Sequence, residues 1–195
     1  AQSKFIKNLY KSIALAALNT GAIVVAATNI NSASDLGIDP PSLIQDVLFV
    51  LDQIQLSDGS KLNWINTASH IPQISLLCSV GVDLFVTHGG NNSFHESLYS
   101  GTPVCVAPFF GDQPSVAIAA VNLGVGAAII NPSWGGKDEF GNVLGVELSS
   151  FVNDIFPRII SPSSTYRAKC LQISSELKNL PPSAEVVLDL IFKKD

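Results

Sequence analysis

Charge is scarce in this chain. Asp, Glu, Lys and Arg make up 14% of the 195 residues, hydrophobic residues 47%, and the mean hydropathy is +0.34. That is apolar for a free-standing domain and points to an extra buried face, of the kind a partner domain would cover. The net charge is −5. It excludes a general affinity for nucleic acid or anionic membrane, so any phosphate must be held by local dipoles. Cysteine is sparse as well: Cys78, Cys105 and Cys170 are odd in number and widely spaced. Neither a disulfide scaffold nor a zinc pattern fits them, and Cys78 and Cys105, inside apolar runs, read as small buried thiols. Asp-x-Asp is absent, as is any His/Cys/Asp cluster at metal-ligand spacing, so no metal cofactor is expected.

A long apolar span is missing too. No charge interrupts Ser12 to Ser34, but Asn19-Thr20-Gly21 divides that run into a helix and a strand. Each is too short to cross a bilayer, and no transmembrane segment is expected. No signal peptide is legible, and the expected setting is cytoplasmic. There is no internal repeat, low-complexity tract or domain boundary, so residues 1–195 read as one domain.

What is present is an alternation of helix and strand patterns. Phe5, Leu9, Ile13 and Ala16 recur at helical spacing, predicting a helix over Ser3 to Asn19 stopped by Gly21. Ala22 to Thr28 reads as a buried strand, and Asn29 to Ser42 as a loop. Val47 to Leu51 is a strand, Gln53 to Ser60 a turn-rich insertion and Lys61 to Ile65 a further strand. Pro72 to Ser79 starts a short helix. After Asp112 a helix runs to Gly124, a strand follows over Ala127 to Ile130, and Asn131 to Gly145 is loop. Three helices close the chain: Glu147 to Phe156, Ser163 to Leu180 and Ser183 to Phe192.

The stretch from Phe85 to Gln113, FVTHGGNNSFHESLYSGTPVCVAPFFGDQ, organises the rest. An apolar strand passes through His88-Gly89-Gly90 into a helix starting near Asn91 or Asn92. A turn at Ser100 to Pro103, a second strand over Val104 to Ala107, and the step Asp112-Gln113 follow. Strand, glycine turn, helix, strand is a βαβ unit, and it implies a parallel sheet. Two glycines let backbone approach a ligand closely, and the helix start behind them offers unpaired N–H groups and partial positive charge. A diphosphate would suit that turn.

The same stretch resembles the nucleotide-sugar signature of the family 1 glycosyltransferases, the UDP-glycosyltransferases. In that family it lies in the C-terminal domain of a two-domain GT-B fold. The matching residues are Pro72-Gln73, Leu76-Leu77, Phe85-Val86-Thr87-His88, Gly90, Asn92-Ser93, Glu96, Gly101-Thr102-Pro103 and Asp112-Gln113, in order and at the family's spacing. The Tyr166 to Lys169 step resembles the family's C-terminal helical region. The resemblance implies a Rossmann-like α/β domain, a parallel sheet flanked by helices, binding a UDP-sugar at the carboxyl ends of its strands. It further implies inverting transfer of a hexose to a small-molecule or lipid acceptor. The base that activates the acceptor hydroxyl would lie in an N-terminal acceptor domain or subunit, so this chain alone is expected to be inactive. The family's C-terminal domain opens with a strand ahead of its first helix; here the chain begins at about that helix, which reads as a fragment or one piece of a complex.

Residue by residue, the resemblance places His88 at the donor diphosphate, where charge grows as the glycosidic bond breaks. Taken alone, a histidine satisfied by nearby backbone, with no ligand, is the favoured reading. Ser93 would bind phosphate beside Gly90 and Asn92, and Glu96 would accept from both ribose hydroxyls. Against this, Ser93-Phe94-His95-Glu96 matches a helix capping box. Asp112 and Gln113 would hold the donor sugar's hydroxyls, although Asp112 also suits a helix N-cap ahead of Pro114. The family's Asn three residues past Gln113 is Val116 here. Gln73 would bond the uracil edge, while His70 stands where the family often stacks a Trp on the base. Trp64 reads as structural, His95 as surface or packing, and the sequon Asn91-Asn92-Ser93 as a chance match. The alternatives to a transferase are a non-catalytic nucleotide-sugar-binding subunit and a nucleotide-sugar epimerase, whose acid/base carboxylates we do not find.

Overall fold

A computed structural model describes residues 2–27, 51–55, 61–67, 71–79 and 81–181. His70, the expected loop over Asn29 to Ser42 and the expected helix over Ser183 to Phe192 lie outside these residues, as does most of the strand expected over Val47 to Leu51.

The described elements run α1 (Gln2–Thr20), β1 (Val24–Ala27), β2 (Leu51–Gln55), β3 (Lys61–Thr67), α2 (Gln73–Ser79), β4 (Phe85–Thr87), α3 (Asn91–Ser100), β5 (Val104–Val106), α4 (Gln113–Asn122), β6 (Gly126–Ile129) and β7 (Gly145–Val146). A continuous helical stretch follows: α5 (Leu148–Ser150), a π-helical segment (Phe151–Ile155) and α6 (Phe156–Ile160). The last element is α7 (Thr165–Lys178).

Strands β4, β5, β6 and β7 form a sheet in that order, every pair parallel, with Phe85 opposite Val104 and Val104 opposite Gly126. Burial follows the two-residue period of a strand that is covered on both faces. Val104, Val106 and Ala128 face a core shared with Phe94 and Leu98 of α3, Val116, Ala117 and Ala120 of α4, and Cys170 of α7. Cys105, Ala107, Ala127 and Ile129 face the opposite core, built from Phe5, Leu9 and Ile13 of α1 and Phe151, Ile155, Phe156 and Ile159 of the later helical stretch. Burying each such side chain contributes roughly 1.5–3 kcal/mol. The sheet is therefore covered by helices on both sides, as the βαβ pattern implied.

A second sheet has the order β1-β3-β2, with β1 parallel and β2 antiparallel to β3. The expected turn-rich insertion is corrected at its start, because Gln53 to Gln55 are paired in β2. Residues 53–55 thus stand in an antiparallel ladder with β3. The helix expected to stop at Phe156 runs on to Ile160. Pro157 lacks an N–H, and its site follows directly on the π-helical turn, where the ladder changes register. The expected loop over Asn131 to Gly145 carries two antiparallel bridges, Asn131 with Trp134 and Lys137 with Val143. It ends in β7.

The thiols need one correction. Cys105 and Cys170 are buried, but Cys78 is exposed on α2. Its apolar neighbours cannot all face inward on a seven-residue helix, and Leu77 takes the buried position.

Candidate functional site

The site is built at the carboxyl ends of β4 and β5. Ala107 N–H donates to the Thr87 carbonyl at 2.8 Å, extending the pairing of the two strands past their last register pair. Beyond Thr87 the chain turns through Gly89, whose φ is +89°. A side chain there would be strained by conformation, and a Cβ would stand 2.6 Å from Val106 Cγ1 and 3.7 Å from Gln113 Cβ. Glycine at this position therefore lets the turn after β4 lie directly against the start of α4. Thr87 Oγ1 accepts from Gly89 N–H at 3.3 Å and fixes the turn. Two helix N-termini, those of α3 and α4, follow neighbouring parallel strands and meet at this contact.

α3 begins at Asn91 with Gly90 as its N-cap, and no side chain caps it. The free N–H groups of its first turn are thus left to solvent or to a ligand. The His88 ring folds back over this helix start: a Cβ on Gly90 would stand 2.9 Å from His88 Nε2. His88 is exposed, as are Asn91 and Asn92. An imidazole and a row of helix-terminal N–H groups therefore face the same open space, a combination suited to an anion.

The capping-box alternative is removed by this geometry. Ser93 occupies the third position of α3, inside the helix, and its side chain turns to α2. Gln73 Nε2 donates to Ser93 Oγ at 3.1 Å and to Glu96 Oε2 at 2.6 Å. Three residues expected at the site from sequence are thus joined in one network, between the first turn of α2 and the first two turns of α3. His95 lies apart from it; its Nδ1 bonds the Asn91 carbonyl within α3.

Asp112 is the N-cap of α4 by position, but its backbone is right-handed helical and its side chain makes no cap bond. The exposed carboxylate is therefore unspent on the helix. Gln113 is 4% exposed, and its Oε1 accepts from the N–H groups of Phe109 and Phe110 at 2.7 and 3.1 Å. This oxygen shapes the β5–α4 loop, a role the sequence did not suggest. Only the amide NH₂ of Gln113 remains for a ligand. Phe109 further anchors the loop by an edge-to-face contact with Phe5 of α1, ring centroids 5.7 Å apart. Val116 is buried in the core and supplies no polar group.

Among the described residues, no three His, Cys, Asp or Glu side chains gather in a way that could hold a metal ion, and no helix is long and apolar enough to cross a membrane.

An α/β sheet with helices on both faces and two helix starts at one sheet end defines a Rossmann-like α/β class. Solved structures share that fold. The glycosyltransferase VinC, in complex with DTDP, superposes with a TM-score of 0.62 at 20% identity, covering 94% of this chain and 38% of that one. Os79 from O. sativa, in complex with UDP, gives 0.61 at 16% identity, covering 94% and 36%. The profile of the UDP-glucoronosyl and UDP-glucosyl transferases matches residues 45–138. UDP-glucuronosyltransferase 3A1 of Mus musculus is 53% identical over 57 residues, 28% of this chain and 11% of that protein. UDP-glucuronosyltransferase 3A2 of Homo sapiens is 46% identical over 57 residues, again 28% and 11%. Residues 45–138 are thus similar to the family 1 UDP-glycosyltransferases, and the fold is that of GT-B glycosyltransferases. The matched segment covers about a tenth of the length of these two curated relatives.

Proposed function

We propose that this chain binds the UDP-sugar donor of a hexosyltransferase that inverts at the anomeric carbon. The observation that carries the reading is the uncapped start of α3 with His88 folded over it, beside the Ser93–Glu96 pair. The diphosphate would lie at the α3 N-terminus against His88, the Asn92 and Ser93 side chains and the Gly90–Asn92 backbone. Glu96, further along α3, would accept from the ribose hydroxyls. The unspent Asp112 carboxylate and the Gln113 amide would hold hydroxyls of the sugar. Two structural neighbours were solved with nucleoside diphosphates, DTDP and UDP, which agrees with this choice of ligand.

As the sugar leaves UDP, negative charge collects on the diphosphate. Donors already aimed at that charge stabilise the transition state more than the ground state. The α3 N–H groups and His88 would do this without moving. The attacking acceptor hydroxyl needs a base, which we assign to an acceptor-binding domain or subunit outside this chain. The test is titration of the purified chain with UDP, followed by competition with UDP-glucose and UDP-glucuronic acid. Saturable 1:1 binding of UDP displaced by a UDP-sugar is expected; no binding of UDP at millimolar concentration would overturn the proposal.

A further inference from the structure

We infer that Gln73 is a positioning residue that sets which groups of the α3 site donate and which accept. The inference rests on the donor-site reading above and deepens it. The amide can face Glu96 in one orientation only. An ionised carboxylate accepts and cannot donate, so the group 2.6 Å from Glu96 Oε2 must be the NH₂ and not the carbonyl. That NH₂ has two hydrogens. One goes to Glu96, the other to Ser93 Oγ at 3.1 Å. Both are then spent, and Gln73 has no proton left for the edge of a base.

Two consequences follow for the ligand. Ser93 Oγ accepts from Gln73, so its own hydroxyl proton is turned outward and is free to donate to an anionic oxygen. Glu96 is held by one oxygen, which fixes its rotamer and leaves Oε1 to accept from a hydroxyl. A side chain fixed before binding loses less conformational freedom when the ligand arrives. One glutamine thus presents a serine as a donor to phosphate and a glutamate as an acceptor for a diol, side by side on α3. It acts through those two residues, without a direct bond to the base.

The test is a double-mutant cycle on the full chain, with UDP affinity followed by NMR into the millimolar range. Gln73→Ala is expected to weaken UDP about tenfold in the native background and less than about twofold in a Ser93→Ala/Glu96→Ala background. A Gln73 effect of equal size in both backgrounds would overturn the inference, because a residue reading the base directly keeps its contribution. If the native chain does not bind UDP at all, the donor-site reading itself fails, which is a separate result. Gln73→Glu guards against a fold defect, since it keeps the shape but sets a second carboxylate against Glu96. Two adjacent carboxylates share a proton more readily at lower pH. The affinity of Gln73→Glu, taken as a ratio to the native chain at each pH, should therefore be lowest at pH 8 and recover towards pH 5. The ratio removes whatever pH dependence the variant shares with the native chain. A ratio that stays flat across that range would contradict the assignment.

Discussion

The side chains of Gln73 and Glu96, 23 positions apart in sequence, meet at 2.6 Å across the packed helices α2 and α3. That contact decides between two readings of Glu96. A glutamate that caps its own helix folds back on the helix start, and this one does not. It is held from the neighbouring helix, and its other oxygen has no hydrogen-bond partner among the described residues.

The first expected outcome concerns ribose. Hydrogen bonds to a charged group contribute about 1.5–3 kcal/mol each. Glu96→Ala should therefore weaken UDP about ten- to a hundredfold, and hardly change binding of the 2′,3′-dideoxy analogue. Calorimetric titration of both ligands checks this. Equal losses would mean that Glu96 serves only to join the helices.

The glycine turn gives a second outcome. Gly89→Ala combines a positive φ with a Cβ 2.6 Å from Val106, whereas Gly111 also has positive φ, +63°, but open space around it. Backbone strain alone costs about 1–3 kcal/mol, and crowding adds to it only at Gly89. Thermal melts should show Gly89→Ala losing at least about twice the Tm that Gly111→Ala loses. Equal shifts would indicate that the two turns do not meet as described.

The cysteines predict a pattern of reactivity. Burial pushes the Cys105 thiol far up and the Cys170 thiol to about 12, while Cys78 is exposed. The thiolate is the reactive form. At pH 8 a thiol reagent should modify Cys78 in the native chain and all 3 cysteines only after unfolding. The same shifts have a sign for stability. A thiol whose folded pKa is raised contributes fully below its unfolded value, about 8.5, and the contribution is lost as pH rises through the folded value. Stability should therefore fall between about pH 8.5 and 12, as denaturation midpoints measured across that range would show.

The parts of this fold that were legible in sequence are those set by local pattern. The strand at Phe85, the glycine turn and the helix at Asn91 appear in order because strand period, turn chemistry and helix period are all short-range signals. Contacts between elements were not legible. Nothing near Gln73 in sequence says that its amide faces Ser93 and Glu96, and nothing near Gln113 says that its oxygen turns inward to Phe109 and Phe110. Cys78 shows the same limit in another form: an apolar neighbourhood gives no face, and on a short helix the face decides burial. Which strands share a sheet was also beyond local pattern: β1, β3 and β2 form one sheet, and β4 to β7 another.

The central claim is that the α3 N-terminus and His88 hold the diphosphate, without a metal. Helix-terminus interactions contribute about 0.3–1 kcal/mol when exposed and up to about 2 when partly buried. Several N–H bonds and His88 must therefore add to the dipole. The direct measurement is calorimetry of UDP and of uridine, in excess EDTA, with the native chain and with His88→Ala. The account predicts that UDP binds in EDTA and that His88→Ala weakens UDP more than uridine, which has no diphosphate. Binding of UDP that disappears with EDTA, or an equal loss for both ligands, would contradict it.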